Sequence, residues 1–430
     1  ALLAGLCMNG ILPMAGLASA PELAHGSEHP RLFFRSEDLT RMRTAIESVP
    51  MAKERYADLV RTTNAEAAIA YPIPSSHTNR EWQPVAYRMA ENAAKCGVLF
   101  QMTGKERYGR WVKAFLLDWA AKFDTRVNYK LVDDYYGTEV GAAGEGGNTM
   151  GYYFSGDVLT KLSLAYDCLY HEFTAAERER IEQDLFLSWV EEIEAYDHSR
   201  RRPGYAPDFM TGPGSWNGAN KCNMGLTAVG FALNIPRLYE RGVQNFKTVV
   251  ARDMLADGFW LEEDRNYADG CMATFFSIAW MARSSGYPTD LFNLTLYSKA
   301  NEEYDQTYIE VLPEPDGPVP PERNIRMYLD AHLDWQYPDF GPGNWGWYPD
   351  RGNLGGRSLT GMYVIGNAIY DDPEYAFILQ QIDPSKGSVS PAGLDPIYFA
   401  EEIESVPPAD TSSRWYPHGK WAVLKSIEGP

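Results

Sequence analysis

Apolar residues recur at helical spacing through most of the chain between residues 37 and 284. A capped helix start is predicted at residues 36–39. Further helices are predicted over residues 85–101, 108–123, 158–170, 175–196, 220–241 and 274–284. Helices that follow one another without strands must bury their apolar faces against each other. The chain is therefore restricted to a bundle, a superhelix or a closed ring of helix pairs.

The charge of the 430-residue chain limits its partners. Its 39 basic and 58 acidic side chains give a formal net charge of −19, which repels polyphosphate and argues against a nucleic-acid partner. Aromatic residues make up 13% of the chain. Most of them are expected in the core, and those in loops suit stacking on sugar rings.

Residues 1–20 contain no charged side chain and end in Ala18, Ser19 and Ala20. This small-x-small ending is typical of a secretory signal peptide, so we expect a periplasmic or secreted protein. A membrane anchor is the alternative, but Asn9, Pro13 and several glycines make this stretch a poor span. We therefore expect no membrane span.

The sequence carries no motif for a catalytic metal. No H-E-x-x-H, EF-hand loop or P-loop occurs. The cysteines after residue 20 form no C-x-x-C pair, so buried free thiols are expected and a disulfide is the alternative. We predict that no cofactor is required, and a structural divalent ion bound by scattered residues stays an open alternative.

Five segments in chain order resemble the heparinase II/III-like and alginate-lyase-like polysaccharide lyases. They are residues 29–39 (HPRLFFRSEDL), 164–178 (LAYDCLYHEFTAAER), 216–225 (WNGANKCNMG), 257–267 (DGFWLEEDRNY) and 415–425 (WYPHGKWAVLK). The resemblance implies a mainly α protein, an α/α toroid of antiparallel helix pairs followed by an antiparallel β-sandwich. It also implies cleavage of uronic-acid linkages by elimination.

The domain organisation follows from this resemblance and from a change after residue 406, where the helical pattern gives way to a turn and a strand. Residues 1–20 are the predicted signal peptide, and residues 21–405 are an incomplete (α/α) toroid that carries the catalytic site. Residues 406–430 read as a turn and a strand. Because a terminal hairpin is not stable alone, it either packs on the helices or begins a β-sandwich domain, and we favour the second.

Elimination from a 4-linked uronide removes the proton on C5 and expels the oxygen on C4. The enzyme must accept that proton, protonate the leaving oxygen and neutralise the adjacent carboxylate. A tyrosine suits the base role if nearby positive charge lowers its pKa from the ordinary value of about 10, and it suits the acid role unaided. Amide, imidazolium or guanidinium groups suit the carboxylate.

Tyr267 is the candidate for base and acid. The resembling lyases carry a catalytic Tyr at the end of a DG-x-x-x-E-x-x-x-x-Y segment, which here runs from Asp257 to Tyr267. Tyr267 precedes a helical pattern, so a loop-to-helix junction would expose its phenol. Arg265 would bind the substrate carboxylate or lower the pKa of the Tyr. The alternative role for Tyr267 is packing, as for most of the 27 tyrosines.

Three asparagines follow Trp216 at intervals of three residues. If a helix begins near Asn217, then Asn217, Asn220 and Asn223 share one broad face. We favour Asn217 as the carboxylate clamp, with Asn220 as the alternate, and helix capping would explain one of the three. Many resembling lyases have Asn or His just before the Trp, where this chain has Ser215 and smaller or cyclic residues.

The remaining candidates are histidines and aromatic or basic neighbours. His198 stands beside the basic run at residues 200–202, which is either a solvated face or a groove for a polyanion. His332 precedes an aromatic segment that includes Trp345 and either stacks on sugar or packs. By analogy with the resembling lyases, His418 would assist the base or orient the carboxylate; a turn histidine is the alternative.

The candidate residues fall into two groups. The predicted catalytic residues are Tyr267, Asn217, His418 and His198, and the predicted substrate-binding residues are Arg265, Trp216, Asn220, Lys221, Arg200, His332 and Trp345. No metal ligand is predicted.

The sequence thus predicts a secreted polysaccharide lyase that acts on an acidic polysaccharide. Among alginate, glucuronan and glycosaminoglycan, the unsulfated polymers are favoured. A sulfated polymer would need more positive charge in the groove than the basic run at residues 200–202 supplies. A glycoside hydrolase on a helical toroid is one alternative and would need a pair of inward carboxylates. A non-catalytic carbohydrate-binding protein is the other.

Overall fold

A computed structural model describes most of the helical part of the chain. The described residues are 21–69, 79–126, 150–199, 217–255, 257–260, 265–298, 311–312, 322–336, 356–381, 384–401, 405–407, 414–416 and 421–423. The helices are α1 (Asp38–Ser48), α2 (Pro50–Thr62), α3 (Asn79–Thr103), α4 (Glu106–Arg126), α5 (Met150–Leu169), α6 (Ala175–Ile181), α7 (Ser188–Ser199), α8 (Asn217–Leu233), α9 (Pro236–Asp253), α10 (Arg265–Ser284), α11 (Arg326–Gln336), α12 (Gly356–Tyr370), α13 (Pro373–Gln381) and α14 (Asp395–Tyr398). A π-helical segment, Glu182–Leu187, joins α6 to α7.

Four long helices, α3, α5, α8 and α10, form an inner layer in which all run in the same direction. In the middle of α5, Lys161 contacts Tyr87 of α3, and in the first half of α8 and α10, Asn220 contacts Cys271. Near their ends, Gly97 of α3 packs on Cys168 of α5. The ring of Phe231 at the end of α8 meets Tyr287, which follows α10.

The other helices pack on the outside of this layer. Helix α4 packs on α3 and α5, α9 returns along α8, and α12 lies beside α10 with α11 and α13 against it. Helix hairpins with parallel inner members define an incomplete (α/α) toroid. The predicted fold class is therefore confirmed. We call the space that the inner layer surrounds the lumen.

Glycines bring α5 and α8 into backbone contact. A Cβ on Gly156 would clash with the main-chain carbonyl of Lys221, and one on Gly225 would lie 2.6 Å from the Cα of Gly156. Since no side chain separates the two helices there, their relative height is set by the backbone. The side chains that flank this contact, including those of Asp157 and Lys221, are consequently held at one level.

The N-terminal residues tie the far ends of the inner helices together. The buried carboxylate of Asp167 accepts the backbone N–H groups of Arg31 and Leu32, both at 2.8 Å, and contacts Nδ1 of His29 at 2.6 Å. The Arg31 guanidinium donates to the carbonyl of Phe231 at 3.0 Å. The HPRLFF segment thus closes the end of the ring at which α5 and α8 finish.

Two helix boundaries differ from the sequence prediction. The segment predicted as one helix over 220–241 is two helices, α8 and α9, because the chain turns at Asn234 (φ 54°) and Pro236 starts α9. The predicted cap at 36–39 is also wrong in detail, since Glu37 is the N-cap residue and makes no side-chain cap bond. Helix α10 begins at Arg265, nine residues before the predicted start.

Several elements after residue 284 were not predicted. Helices α11, α12 and α13 lie there, and so does a small antiparallel sheet of β1 (Leu296–Ser298), β2 (Val311–Leu312) and β3 (Glu322–Arg323) in the order β2-β1-β3. Strands of two or three residues are too short to show an alternating pattern.

Near the C-terminus the chain forms a hairpin. Strand β4 (Arg414–Tyr416) pairs antiparallel with β5 (Trp421–Val423), where one strand was predicted. That these strands begin a β-sandwich domain stays a prediction, as do the domain boundaries, and residues 1–20 lie outside the described part. Cys96, Cys168, Cys222 and Cys271 are buried thiols that form no disulfide, as expected. None of the described helices is both long and apolar enough to span a membrane.

The glycine contact can be tested with a matched pair of substitutions. Gly156→Ala should lower the free energy of unfolding by about 3 kcal/mol, because the added methyl forces α5 away from α8. Gly270→Ala in α10 adds the same methyl where no described atom lies within 4 Å. It should leave stability unchanged or raise it by up to about 1 kcal/mol. Urea unfolding measures both, and equal losses would contradict the proposed contact.

Candidate active site

The beginnings of α5, α8 and α10 meet at one end of the ring, which we call the rim. Because these helices are parallel, their first turns lie at the same end, opposite the closure by Arg31 and Asp167. Unsatisfied N–H groups give each helix N-terminus a partial positive charge. Three such ends at one rim favour an anionic ligand.

Tyr267 is the third residue of α10 and lies at the rim. It is 51% exposed, and it is the one exposed tyrosine among those whose side chains the structure describes. A packing tyrosine would be buried, as Tyr328 and Tyr363 are. The position therefore agrees with the predicted helix junction and does not support the packing alternative.

No described residue fills the space beside Gly270, one turn after Tyr267. Gly270 follows it by three residues, so the two share a side of α10. A Cβ on Gly270 would meet no atom of the described residues within 4 Å. An exposed phenol next to free volume can approach a bound ligand.

Lys221 lies at the rim in an ion pair that joins α8 to α5. Its Nζ is 3.1 Å from Oδ2 of Asp157, and each side chain is only 16% exposed. A substrate carboxylate that approached Lys221 would compete with Asp157 for it.

Asn220 lies away from the lumen. It is fully buried, donates to Sγ of Cys271 at 3.6 Å and accepts from Asn245 of α9 at 3.4 Å. Asn223 is also buried and donates to the Ala219 carbonyl at 3.1 Å. This placement does not support Asn220 as a substrate ligand, because its face of α8 packs against α9 and α10.

His332 is a core residue of α11. Its Nδ1 contacts the Tyr328 carbonyl at 2.8 Å, and its ring lies 4.1 Å from the ring of Tyr328 and 5.7 Å from that of Phe259. At 3% exposed it cannot stack on a sugar ring. The structure therefore does not support its predicted role in binding.

The same helix braces α10 in a way that the sequence reading missed. The Tyr328 hydroxyl donates to Oδ1 of Asp269 at 2.6 Å, and Asp269 follows Tyr267 by two residues. Phe259, which contacts His332, lies in the turn just before α10. The signal in the sequence was an acidic residue in an otherwise apolar helix, in the segment ADGCMATFF.

Other predicted residues lie wholly or partly outside the described part of the chain. Only the backbone is described for Asn217 and Arg265, the first residues of α8 and α10, and for His198 in α7. The residues outside are Trp216, Arg200, Trp345 and His418. Within the described ranges, no three His, Cys, Asp or Glu side chains are grouped so that they could hold a metal ion.

Comparison with known proteins agrees with this architecture. A family model described as Alginate lyase matches residues 46–303. A crystal structure of an alginate lyase from Bacteroides ovatus has 14% identity and a TM-score of 0.55, over 87% of this chain and 100% of that one. No curated protein matches the chain in sequence.

Two further structures resemble the chain over a smaller part of its length. Alginate lyase A1-III from Sphingomonas species A1 has 16% identity and a TM-score of 0.42, over 72% of this chain and 81% of that one. A variant of alginate lyase A1-III complexed with tetrasaccharide has 17% identity and a TM-score of 0.45, over 74% and 79%.

The fold and the family match define a polysaccharide lyase on an incomplete α/α toroid. More particularly, the chain belongs to the alginate lyase family, since the family model covers more than half of it. The alginate-lyase-like part of the resemblance in the sequence is thereby confirmed.

The brace from α11 can be tested through Tyr328→Phe. Loss of the hydroxyl should lower stability by about 2 kcal/mol, because it removes a buried hydrogen bond to a carboxylate. It should also lower kcat about tenfold with little change in KM, since small displacements of a reacting group reduce rate more than binding. Urea unfolding and steady-state kinetics measure the two effects.

Tyr363→Phe is the matched control. Its hydroxyl is equally buried but donates to the Leu329 carbonyl of α11 at 3.0 Å instead of to the Asp269 carboxylate. It should cost about 1 kcal/mol of stability and leave kcat unchanged. An equal fall in kcat for both variants would mean that the Asp269 contact has no special role.

Proposed function

We propose that this lyase is exported and cleaves an unsulfated uronic-acid polymer, alginate or glucuronan, by β-elimination at the rim, with Tyr267 as base and acid. The main support is the exposed phenol of Tyr267 in the first turn of α10, beside free volume and among the beginnings of three inner helices. Buried tyrosines could not reach a polymer.

The proposed reaction has one bond made and two broken at the sugar. The Tyr267 phenolate takes the C5 proton, the C5–H electron pair becomes the C4=C5 double bond, and the C4–O4 bond breaks. The O4 oxygen leaves with its electron pair and receives a proton from the tyrosine. No oxidant, reductant or added water is consumed in these steps, and we propose that no cofactor is required.

Positive and amide groups at the rim would neutralise the uronate carboxylate, which is the second requirement of the reaction. Arg265 and Asn217 are the first residues of α10 and α8, and Lys221 lies one turn after Asn217. Charge-assisted hydrogen bonds from such groups stabilise the negative charge that develops as C5 loses its proton. In this proposal Asn217 is the clamp, and Asn220 supports the helix behind it.

The predicted residues whose side chains are not described keep their predicted roles. His418 would assist the base or orient the carboxylate, and His198 is proposed as a further catalytic residue. Arg200 would attract the polyanion, and Trp216 and Trp345 would stack on sugar rings. Export is proposed from the signal-like residues 1–20.

The choice of substrate is supported by two observations. The net charge of −19 disfavours heavily sulfated glycosaminoglycans. The similar crystal structure from Bacteroides ovatus is an alginate lyase.

Substitution of the proposed base tests this function directly. Incubation with alginate or glucuronan should produce the ultraviolet absorbance of an unsaturated uronate. Tyr267→Phe should lower the rate at least 10²-fold, because it removes general acid–base catalysis. Tyr56→Phe, a half-buried tyrosine of α2, is the control and should keep full activity.

Other outcomes would point elsewhere. Full activity of Tyr267→Phe would show that another residue is the base. Release of reducing sugar without absorbance would indicate hydrolysis, and no product from any uronan would contradict the proposed substrate class.

A further inference from the structure

The ion pair between Asp157 and Lys221 faces the lumen. Tyr166 follows Asp157 by nine residues, about two and a half turns, so the two side chains point to opposite sides of α5. Tyr166 packs outward on the π-helical segment, with its ring 5.5 Å from that of Phe186. In α8, Gly230 follows Lys221 by the same interval and lies against the backbone of the outer helix α9. Asp157 and Lys221 therefore lie on the sides of their helices that face away from the outer layer.

The two side chains of this pair are partly exposed. Each keeps 16% of its surface accessible, whereas the side chain of Asp167 at the far end of α5 keeps none. The Nζ of Lys221 lies 3.1 Å from Oδ2 of Asp157. A polymer in the lumen would therefore meet an ammonium that already has an anion beside it.

The backbone keeps the two partners of the pair together. A Cβ on Gly156, the neighbour of Asp157, would clash with the carbonyl of Lys221. Because the main chains are in contact, the pair opens by rotation of the flexible lysine side chain and not by separation of the helices. The Asp157 carboxylate therefore stays within reach of the ammonium when another anion binds there.

A uronate carboxylate at Lys221 would be a second anion beside one cation. Like charges at this range repel each other, and the repulsion in a cleft exceeds that in bulk water because the effective dielectric constant is lower. Lys221 would therefore bind a uronate more tightly if Asp157 carried no charge. The product of elimination keeps its carboxylate, so the same repulsion would assist product release.

We propose that Asp157 is a positioning residue for Lys221 and its counter-ion in the unliganded enzyme, from which a uronate carboxylate displaces it. This proposal rests on the proposed function, because it concerns the uronate that binds at the rim. Asp157 holds the ammonium at the lumen before the polymer arrives, and it pairs with the ammonium again when the product leaves. Its negative charge thereby limits the affinity for both substrate and product.

Binding measurements on a protein that hardly consumes its ligand test this exchange. In the Tyr267→Phe background, calorimetry would measure the Kd of an alginate oligosaccharide. Asp157→Asn keeps the size of the side chain and removes its charge. At low ionic strength it should lower the Kd about fivefold, the effect of one unit charge about 4 Å away in water. At an ionic strength of about 1 M the gain should fall below about twofold, because the Debye length is then about 3 Å.

Two further variants identify the charge as the cause. Asp157→Glu retains the carboxylate and should keep the Kd within about twofold of that of the parent. Lys221→Met removes the cation that the two anions share, and it should raise the Kd about tenfold, the effect of one lost charge-assisted hydrogen bond.

Glu177→Gln is the matched control. Glu177 pairs with Lys113 at 2.7 Å between two helices of the outer layer, so this variant also removes one negative charge from an ion pair between helices. It should leave the Kd unchanged. Asp157→Asn should lower the Tm by no more than about 4 °C, since a partly exposed ion pair contributes little to stability. Should it fail to fold, Asp157→Ser removes the same charge and gives the same test.

The outcomes distinguish the exchange from the proposed function. An unchanged Kd in Asp157→Asn or in Lys221→Met, with elimination intact in the wild type, would overturn the exchange and leave the function. A higher Kd in Asp157→Asn would also overturn it, since Asp157 would then bind the sugar itself. An equal gain in Glu177→Gln would assign the effect to net charge and overturn it too. No unsaturated product from any uronan, with a Kd that still falls in Asp157→Asn, would overturn elimination and leave the exchange.

Discussion

The backbone contact between α5 and α8 sets the geometry on which the site depends. At Gly156 and Gly225 no side chain separates the two helices, so their spacing and relative height are fixed. At the far end, Arg31 and Asp167 hold the same pair. Because the helices are fixed at both ends, residues that project from their first turns keep constant relative positions. A site that must hold each reacting group to within about half an ångström of its productive position needs a support of this kind.

The net charge of the whole chain describes its long-range field and not the charges that a ligand meets at contact. The net charge of −19 repels a polyanion at long range. Ions screen that repulsion beyond about 8 Å at physiological salt, whereas a single lysine such as Lys221 of α8 acts at contact distance. The helix N-termini at the rim add partial positive charge without another basic side chain. An acidic protein can therefore bind an acidic polymer, provided that the binding charge is buried and local.

The sequence predicted the helices and Tyr267 better than it predicted which helix faces are exposed. Helical periodicity reports that an apolar face exists, whereas the neighbour of each polar residue depends on packing. Asn220 follows Asn217 by three residues, but its side chain packs against α9. Helix α9 lies against α8 because the chain reverses at Asn234, where no glycine marks the turn in the sequence. A single lysine in an apolar helix is typical of a solvated position, but Lys161 of α5 is buried. Its burial follows from the packing of α5 on α3, where it lies over the ring of Tyr87.

Helix α10 contacts three other helices near Tyr267. Cys271 contacts Asn220 of α8, Asp269 accepts from Tyr328 of α11, and Phe275 packs on Phe246 of α9 at 5.6 Å. Cys271 and Phe275 follow Tyr267 at intervals of four residues, so the face that carries the exposed phenol in the first turn is packed against other helices one and two turns later. A helix held by a single neighbour could tilt when a ligand binds. Because α10 contacts three helices, the position of Tyr267 is determined on folding, and in the proposed reaction the entropy of positioning the phenol is lost before the polymer binds.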